Sequence, residues 1–141
     1  VIYGPRRVGK TTLAKKLLAD APAGEQLYLN CDELVTQEAL KPTSLASLER
    51  TIGGATRIVI DEAQRVINIG LTLKLLIDAH PDLDIIATGS SSFELANKVK
   101  EPLTGRSYEF FLAPFSIQEI KQHFNYTDLQ METLLERLLR L

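Results

Sequence analysis

The sequence predicts an α/β fold, a parallel sheet covered by helices on both faces, and three observations carry that prediction. Short apolar runs alternate with helix-like stretches, and strand–helix alternation builds parallel sheets. A loop bracketed by glycines, residues 4–11, stands between an apolar run and a helical pattern. The run "RIVID" sets a carboxylate at the end of a β-branched stretch, the edge where open α/β sheets bind ligands.

The elements follow in order. "VIY" reads as the last residues of a first strand; strands usually run about five to six residues, so more chain is expected before Val1. Residues 12–19 read as a helix with Leu13, Leu17 and Leu18 on one side, stopped by the turn Pro22-Ala23-Gly24. "QLYLN" (26–30) alternates and predicts a strand, and the stretch 31–54 reads as a loop and a helix closing at Gly53-Gly54. Residues 57–61 predict a buried strand, and "GLTLKLLIDAH" a helix that ends before Pro81. A strand near 84–88, a helix "SFELANKVK" and an aromatic strand over 107–112 complete five strands. Ser116 with Glu119, and Thr127 with Gln130, stand at capping-box spacing and open two last helices. No strand follows them, so residues 1–113 are expected to form the core and 114–141 the start of a C-terminal helical lid or linker. The leucines of 129–141 are expected to face a core or lid, and the pattern predicts that more chain follows Leu141.

Composition narrows the function classes. The 141 residues are 45% hydrophobic with a net charge of -2 and a sequence pI of about 5.7. No global basic field invites nucleic acid or an anionic membrane. No run of about 18 apolar residues and no signal-peptide pattern is present. The one cysteine, Cys31, cannot form an internal disulfide, which fits a reducing compartment. A cytoplasmic domain is the expectation.

Residues 4–11, Gly4-Pro5-Arg6-Arg7-Val8-Gly9-Lys10-Thr11, match G-x-x-x-x-G-K-[ST] at every fixed position. Glycines let the backbone turn its N–H groups inward, and the helix N-terminus adds positive potential for phosphate. Lys10 would reach the β- and γ-phosphates, and the Thr11 hydroxyl would ligate Mg²⁺. Thr12 is placed for the α-phosphate. The competing reading is a tight turn with an incidental lysine.

A nucleotide site needs a metal partner, and Asp61 would hold Mg²⁺ through its water shell, because Mg²⁺ takes few protein ligands. Glu62 could orient and deprotonate an attacking water, a task that binding alone does not require. Alternatively both carboxylates simply cap the following helix. In "IIATGSSSF" the small hydroxylated residues 88 and 90–92 follow a strand end, where a hydroxyl could meet the γ-phosphate or the water; a serine N-cap is the plainer use. His80 reads as a helix stop, His123 lacks metal-spaced partners, and Cys31 reads as packing.

These elements together resemble an AAA-type P-loop ATPase domain. More narrowly, "YGPRRVGKTTL", "VIDEAQRV", "IIATGSSSFELA", "LTGRSYEFFLAPFS" and "IQEI" look like the prokaryotic AAA-domain ATPases that carry a C-terminal domain of unknown function. The resemblance implies a three-layer P-loop NTPase fold, a sheet of order 5-1-4-3-2, and Mg²⁺-dependent ATP hydrolysis. It makes Lys10 and Thr11 Walker A residues and Asp61 and Glu62 Walker B residues. It puts Ser90 at the polar sensor position, commonly asparagine, and makes Gln64 a candidate sensor of the γ-phosphate. Arg106, in "LTGR", becomes a candidate arginine finger, in cis or on a neighbouring subunit of a homo-oligomer; pairing with Glu101 or Glu109 is the plainer alternative.

The expected function is thus ATP binding and hydrolysis driving a conformational switch, with the C-terminal domain of a longer protein as a partner. The alternatives are a helicase-like, nucleic-acid-associated ATPase and a nucleotide-binding scaffold with little turnover. A helicase core needs a second motor domain and basic, aromatic strand contacts. A small-molecule kinase is disfavoured by Glu62, because kinases avoid activating water.

Overall fold

The computed structural model describes residues 1–42, 44–90 and 103–139. Its strands are β1 (Ile2–Tyr3), β2 (Gln26–Asn30), β3 (Arg57–Asp61), β4 (Asp84–Gly89) and β5 (Phe110–Phe111). Its helices are α1 (Lys10–Ala19), α2 (Leu34–Ala39), α3 (Leu45–Ile52), α4 (Ile69–Ala79), α5 (Ile117–Phe124) and α6 (Asp128–Leu139), with a short 3₁₀ turn over Ala63–Arg65. The strands form one sheet of order β2-β3-β4-β1-β5, and every pairing is parallel. This is the expected order 5-1-4-3-2 read from the other edge.

Strand β3 lies inside the sheet between β2 and β4 and is apolar on both faces, as a strand covered by helices on two sides must be. Ile58 and Ile60 enter the larger core with Leu48 of α3 and Leu73 and Leu76 of α4. Val59 turns to the opposite face, where Ala14 and Leu18 of α1 pack with Tyr28 and Ile86. Period-two alternation carries Asp61 onto that same α1 face. The register aligns Asn30 with Asp61 and Tyr3 with Gly89, so β2, β3, β4 and β1 end together at one edge of the sheet.

Four differences from expectation have physical reasons. The stretch 31–54 holds two helices rather than one, because the Ser44 hydroxyl accepts from the Ser47 N–H at 3.2 Å and starts a second helix. The aromatic stretch 107–112 forms only Phe110–Phe111, because its one partner, β1, is itself two residues long. Arg106, just before it, takes Asp78 of α4 as an ion partner, a residue the sequence did not point to, while Glu101 lies outside the described residues. In α6 only Met131 is buried, while Leu129, Leu138 and Leu139 face outward; among the described residues nothing covers that side. The expected helix "SFELANKVK" and the residues Ser91 and Ser92 lie outside the described residues. Both capping boxes form: Glu119 accepts from the Ser116 N–H at 2.7 Å, and Gln130 from the Thr127 N–H at 2.8 Å. Among the described residues, no helix is long and apolar enough to cross a membrane.

Candidate functional site

The loop 4–11 leaves β1 and feeds α1, and its shape depends on three backbone positions. Gly9, the N-cap of α1, has φ 97°, and Arg7 has φ 65°, both in the left-handed region that turns the chain sharply. Gly4 serves close approach: a Cβ there would lie 2.2 Å from the Leu112 carbonyl oxygen. Lys10 is buried, and its Nζ donates to the carbonyls of Gly4 (3.0 Å) and Pro5 (2.7 Å), spanning the loop from inside. Val8 is half-buried, while Pro5, Arg6 and Arg7 are exposed. Arg6, Arg7, Gly9, Lys10, Thr11 and Thr12 line a cleft of about 480 Å³, closed on its other side by Asp32, Glu62 and Arg65.

Asp61 is the best-held side chain of the site, only 4% exposed at the end of β3. Its Oδ2 accepts from the Thr11 hydroxyl at 2.8 Å and from the Tyr28 hydroxyl at 2.6 Å. Its Oδ1 accepts from the Thr88 hydroxyl. Burial pushes the Asp61 carboxyl upward, but the bonds from Thr88, Tyr28, Thr11 and the backbone outweigh it and hold it below the usual carboxylate range. Burial first, then the Asp61 bond and charge, raise Tyr28 above an ordinary phenol. Burial and the carboxylates of Asp61, Asp32 and Glu62 push the Cys31 thiol up to about 12.

Glu62 begins the turn after β3 in the left-handed region, φ 54° and ψ 41°, a conformation that a non-glycine residue adopts at a cost. Its N–H donates to Thr88 Oγ1 at 3.2 Å, so one threonine steadies both carboxylate residues. The Gln64 amide donates to the Glu62 carboxylate and to Ser90 Oγ, the latter at 3.2 Å. The structure thus gathers Lys10, Thr11, Thr12, Asp61, Glu62, Gln64 and Ser90 at one edge of the sheet. Arg106 stands apart. With Val1, Pro81, Leu83 and Asp84 it lines a hollow at the opposite ends of the strands.

Three contributors escaped the sequence reading. Tyr28 bonds Asp61, and Asp32 and Arg65 form an ion pair of 2.5 Å at the rim of the cleft. The available signal for Tyr28 was its alternation with Asn30 on β2, which points both side chains to one face; no local motif marks Asp32 or Arg65.

The donor set fits a magnesium–triphosphate group. Thr11 commits its hydroxyl proton to Asp61, which leaves oxygen lone pairs for a cation. Among the described residues no cluster of three or more His, Cys, Asp or Glu could form an all-protein metal cage. One hydroxyl and one carboxylate suit Mg²⁺, which keeps water and substrate oxygens in its shell.

Similarities to known proteins agree with this geometry. A family model described as AAA domain matches residues 1–121. The uncharacterized protein MJ1544 of Methanocaldococcus jannaschii is 29% identical over 128 residues, which is 89% of this chain and 29% of that protein. The chain therefore spans under a third of that relative's length. The crystal structure of the FIGL-1 AAA domain in complex with ADP superposes with a TM-score of 0.60 at 16% identity, over 96% of this chain and 52% of the other. That likeness concerns the fold. With residues 1–121 matched and the five parallel strands in the order described, the chain belongs to the AAA domain family of P-loop ATPase modules.

Proposed function

We propose that the domain binds ATP with Mg²⁺ and hydrolyses it slowly, using the edge of the sheet where Lys10, Thr11, Asp61 and Glu62 converge. Magnesium, when bound with the nucleotide, neutralises charge on the β- and γ-phosphates. Lys10 trades the Gly4 and Pro5 carbonyls for phosphate oxygens, and the N–H groups of the loop and of the first turn of α1 cradle the rest. Thr11 and Asp61 would hold the metal, Asp61 through its water shell. Glu62 takes a proton from the water that attacks the γ-phosphorus, and the bond to the bridging oxygen breaks to leave ADP and phosphate. Ser90 is linked to that glutamate through Gln64, whose amide donates to both.

The single observation that carries this reading is the direct 2.8 Å bond between Thr11 and Asp61, two residues 50 positions apart in sequence. Incidental turns do not join a loop hydroxyl to a strand-end carboxylate. Glu62→Gln tests the reading: nucleotide affinity persists while turnover falls about 100-fold or more. Turnover equal to the parent would remove Glu62 from the base role.

One observation favours a second reading, a nucleotide-binding scaffold with little turnover. The Glu62 carboxylate, at the wall of the cleft, already accepts from the Gln64 amide. A parent that binds ATP tightly and releases no phosphate would establish it. Arg106 is assigned to a neighbouring copy in a homo-oligomer, because it lines the opposite end of its own sheet. Residues 114–141 are assigned as a lid or linker toward the remainder of a longer protein, in keeping with the cytoplasmic setting expected from composition.

A further inference from the structure

We propose that the Tyr28 hydroxyl is a positioning residue that fixes which oxygen of Asp61 is offered to the metal and thereby sets the affinity for Mg²⁺. This rests on the nucleotide reading above. A carboxylate has about four in-plane lone-pair sites, two on each oxygen. On Asp61, Oδ2 accepts from both Thr11 (2.8 Å) and Tyr28 (2.6 Å), so that oxygen is full. Among the described residues Oδ1 accepts one side-chain bond, from Thr88, against two on Oδ2, and the Glu62 backbone N–H leans on the same carboxylate. A carboxylate held this way cannot clasp a cation with both oxygens. The less committed oxygen, Oδ1, suits the proton of a metal-bound water.

Tyr28 can hold that position because its ring is itself fixed. It packs on the α1 face against Ala14, Leu18 and Val59, and Lys15 Nζ sits 4.5 Å from its centroid. The register pairs Tyr28 with Val59, two residues before Asp61 on the same face, which is the separation the hydroxyl bridges. Thr11 is needed at the metal and Thr88 also carries the Glu62 N–H, so among the three side-chain donors described Tyr28 alone is bonded to Asp61 and to nothing else of the site's machinery. Groups that orient a metal ligand from behind alter metal affinity by about 10- to 100-fold when removed.

The test is Tyr28→Phe in the full-length protein, which removes one oxygen and keeps the ring. ATP binding is titrated by calorimetry in EDTA and at graded Mg²⁺, with Mn²⁺ binding followed by electron paramagnetic resonance. The expected result is metal half-saturation at about tenfold higher concentration or more, with the affinity measured in EDTA unchanged. Half-saturation within twofold of the parent, or at lower metal, overturns the assignment. Lys15→Ala loosens the ring but keeps the hydroxyl, and it should leave the metal dependence in place; an equal shift there would assign the effect to packing and overturn the proposal. If the parent binds no nucleotide under any condition, the nucleotide reading falls and this one with it. If the parent binds with a metal dependence that Tyr28→Phe leaves unmoved, only the Tyr28 assignment falls.

Discussion

Gln64 reaches back two residues to engage the Glu62 carboxylate, and the same amide nitrogen donates to Ser90 across the gap between β3 and β4. One of the carboxylate's roughly four lone-pair sites is thereby occupied. Gln64→Ala is expected to raise basal ATP turnover severalfold without changing nucleotide affinity. Single-turnover phosphate release measures it, and a fall in rate would show that Gln64 aligns the glutamate rather than restrains it.

Gly4 lies against the backbone of the segment after β5, with its missing Cβ 2.2 Å from the Leu112 carbonyl oxygen. Backbone cannot yield as a side-chain tip can. Gly4→Ala should cost about 1–3 kcal/mol by overpacking and shift the loop from its cradle. A lowered denaturation midpoint together with weakened ATP binding is the expected pair of results; a midpoint equal to the parent would contradict this contact.

Cys31 is fully buried, and its thiol is pushed up to about 12. The thiolate is the reactive form, so iodoacetamide at pH 8 should label the native protein far more slowly than the unfolded chain. The sign for stability follows from linkage. A folded-state pKa above the unfolded value, about 8.5, means stability is fully present below pH 8.5 and lost as pH rises toward 12. Urea midpoints should therefore fall more steeply between pH 9 and about 11 for the parent than for Cys31→Ala.

Arg106 pairs with Asp78 on α4, away from the cleft of its own chain. If it serves a neighbour, specific ATPase activity rises with protein concentration, and Arg106→Ala flattens that rise while leaving ATP affinity intact. Mixing Arg106→Ala with Glu62→Gln is the sharper measurement. Recovered activity in the mixture requires one copy to lend its arginine to another.

The parts of the site that sequence revealed are those encoded locally. Lys10 and Thr11 sit at fixed offsets from Gly4 and Gly9, and Asp61 and Glu62 end an apolar run, so spacing alone marks them. Tyr28 left no such mark, because its bond to Asp61 spans 33 positions and depends on the β2–β3 register. The break between α2 and α3 was hidden for a related reason. Ser44 caps α3 through Ser47, without the glutamate or glutamine that makes a capping box visible. The shortness of β5 is set by its partner, not by its own aromatic composition, which reads as strand throughout.

No side chain intervenes between the Gly4 backbone and Leu112, and the Leu112 N–H donates to Tyr3 at 2.8 Å beside it. Close-packed backbone transmits displacement with little slack. The turn that would grip a phosphate thus abuts the backbone that leads, four residues on, to the Ser116 cap of α5. A displacement of the loop at Gly4 therefore meets the Leu112 backbone directly, with no side-chain relay in between.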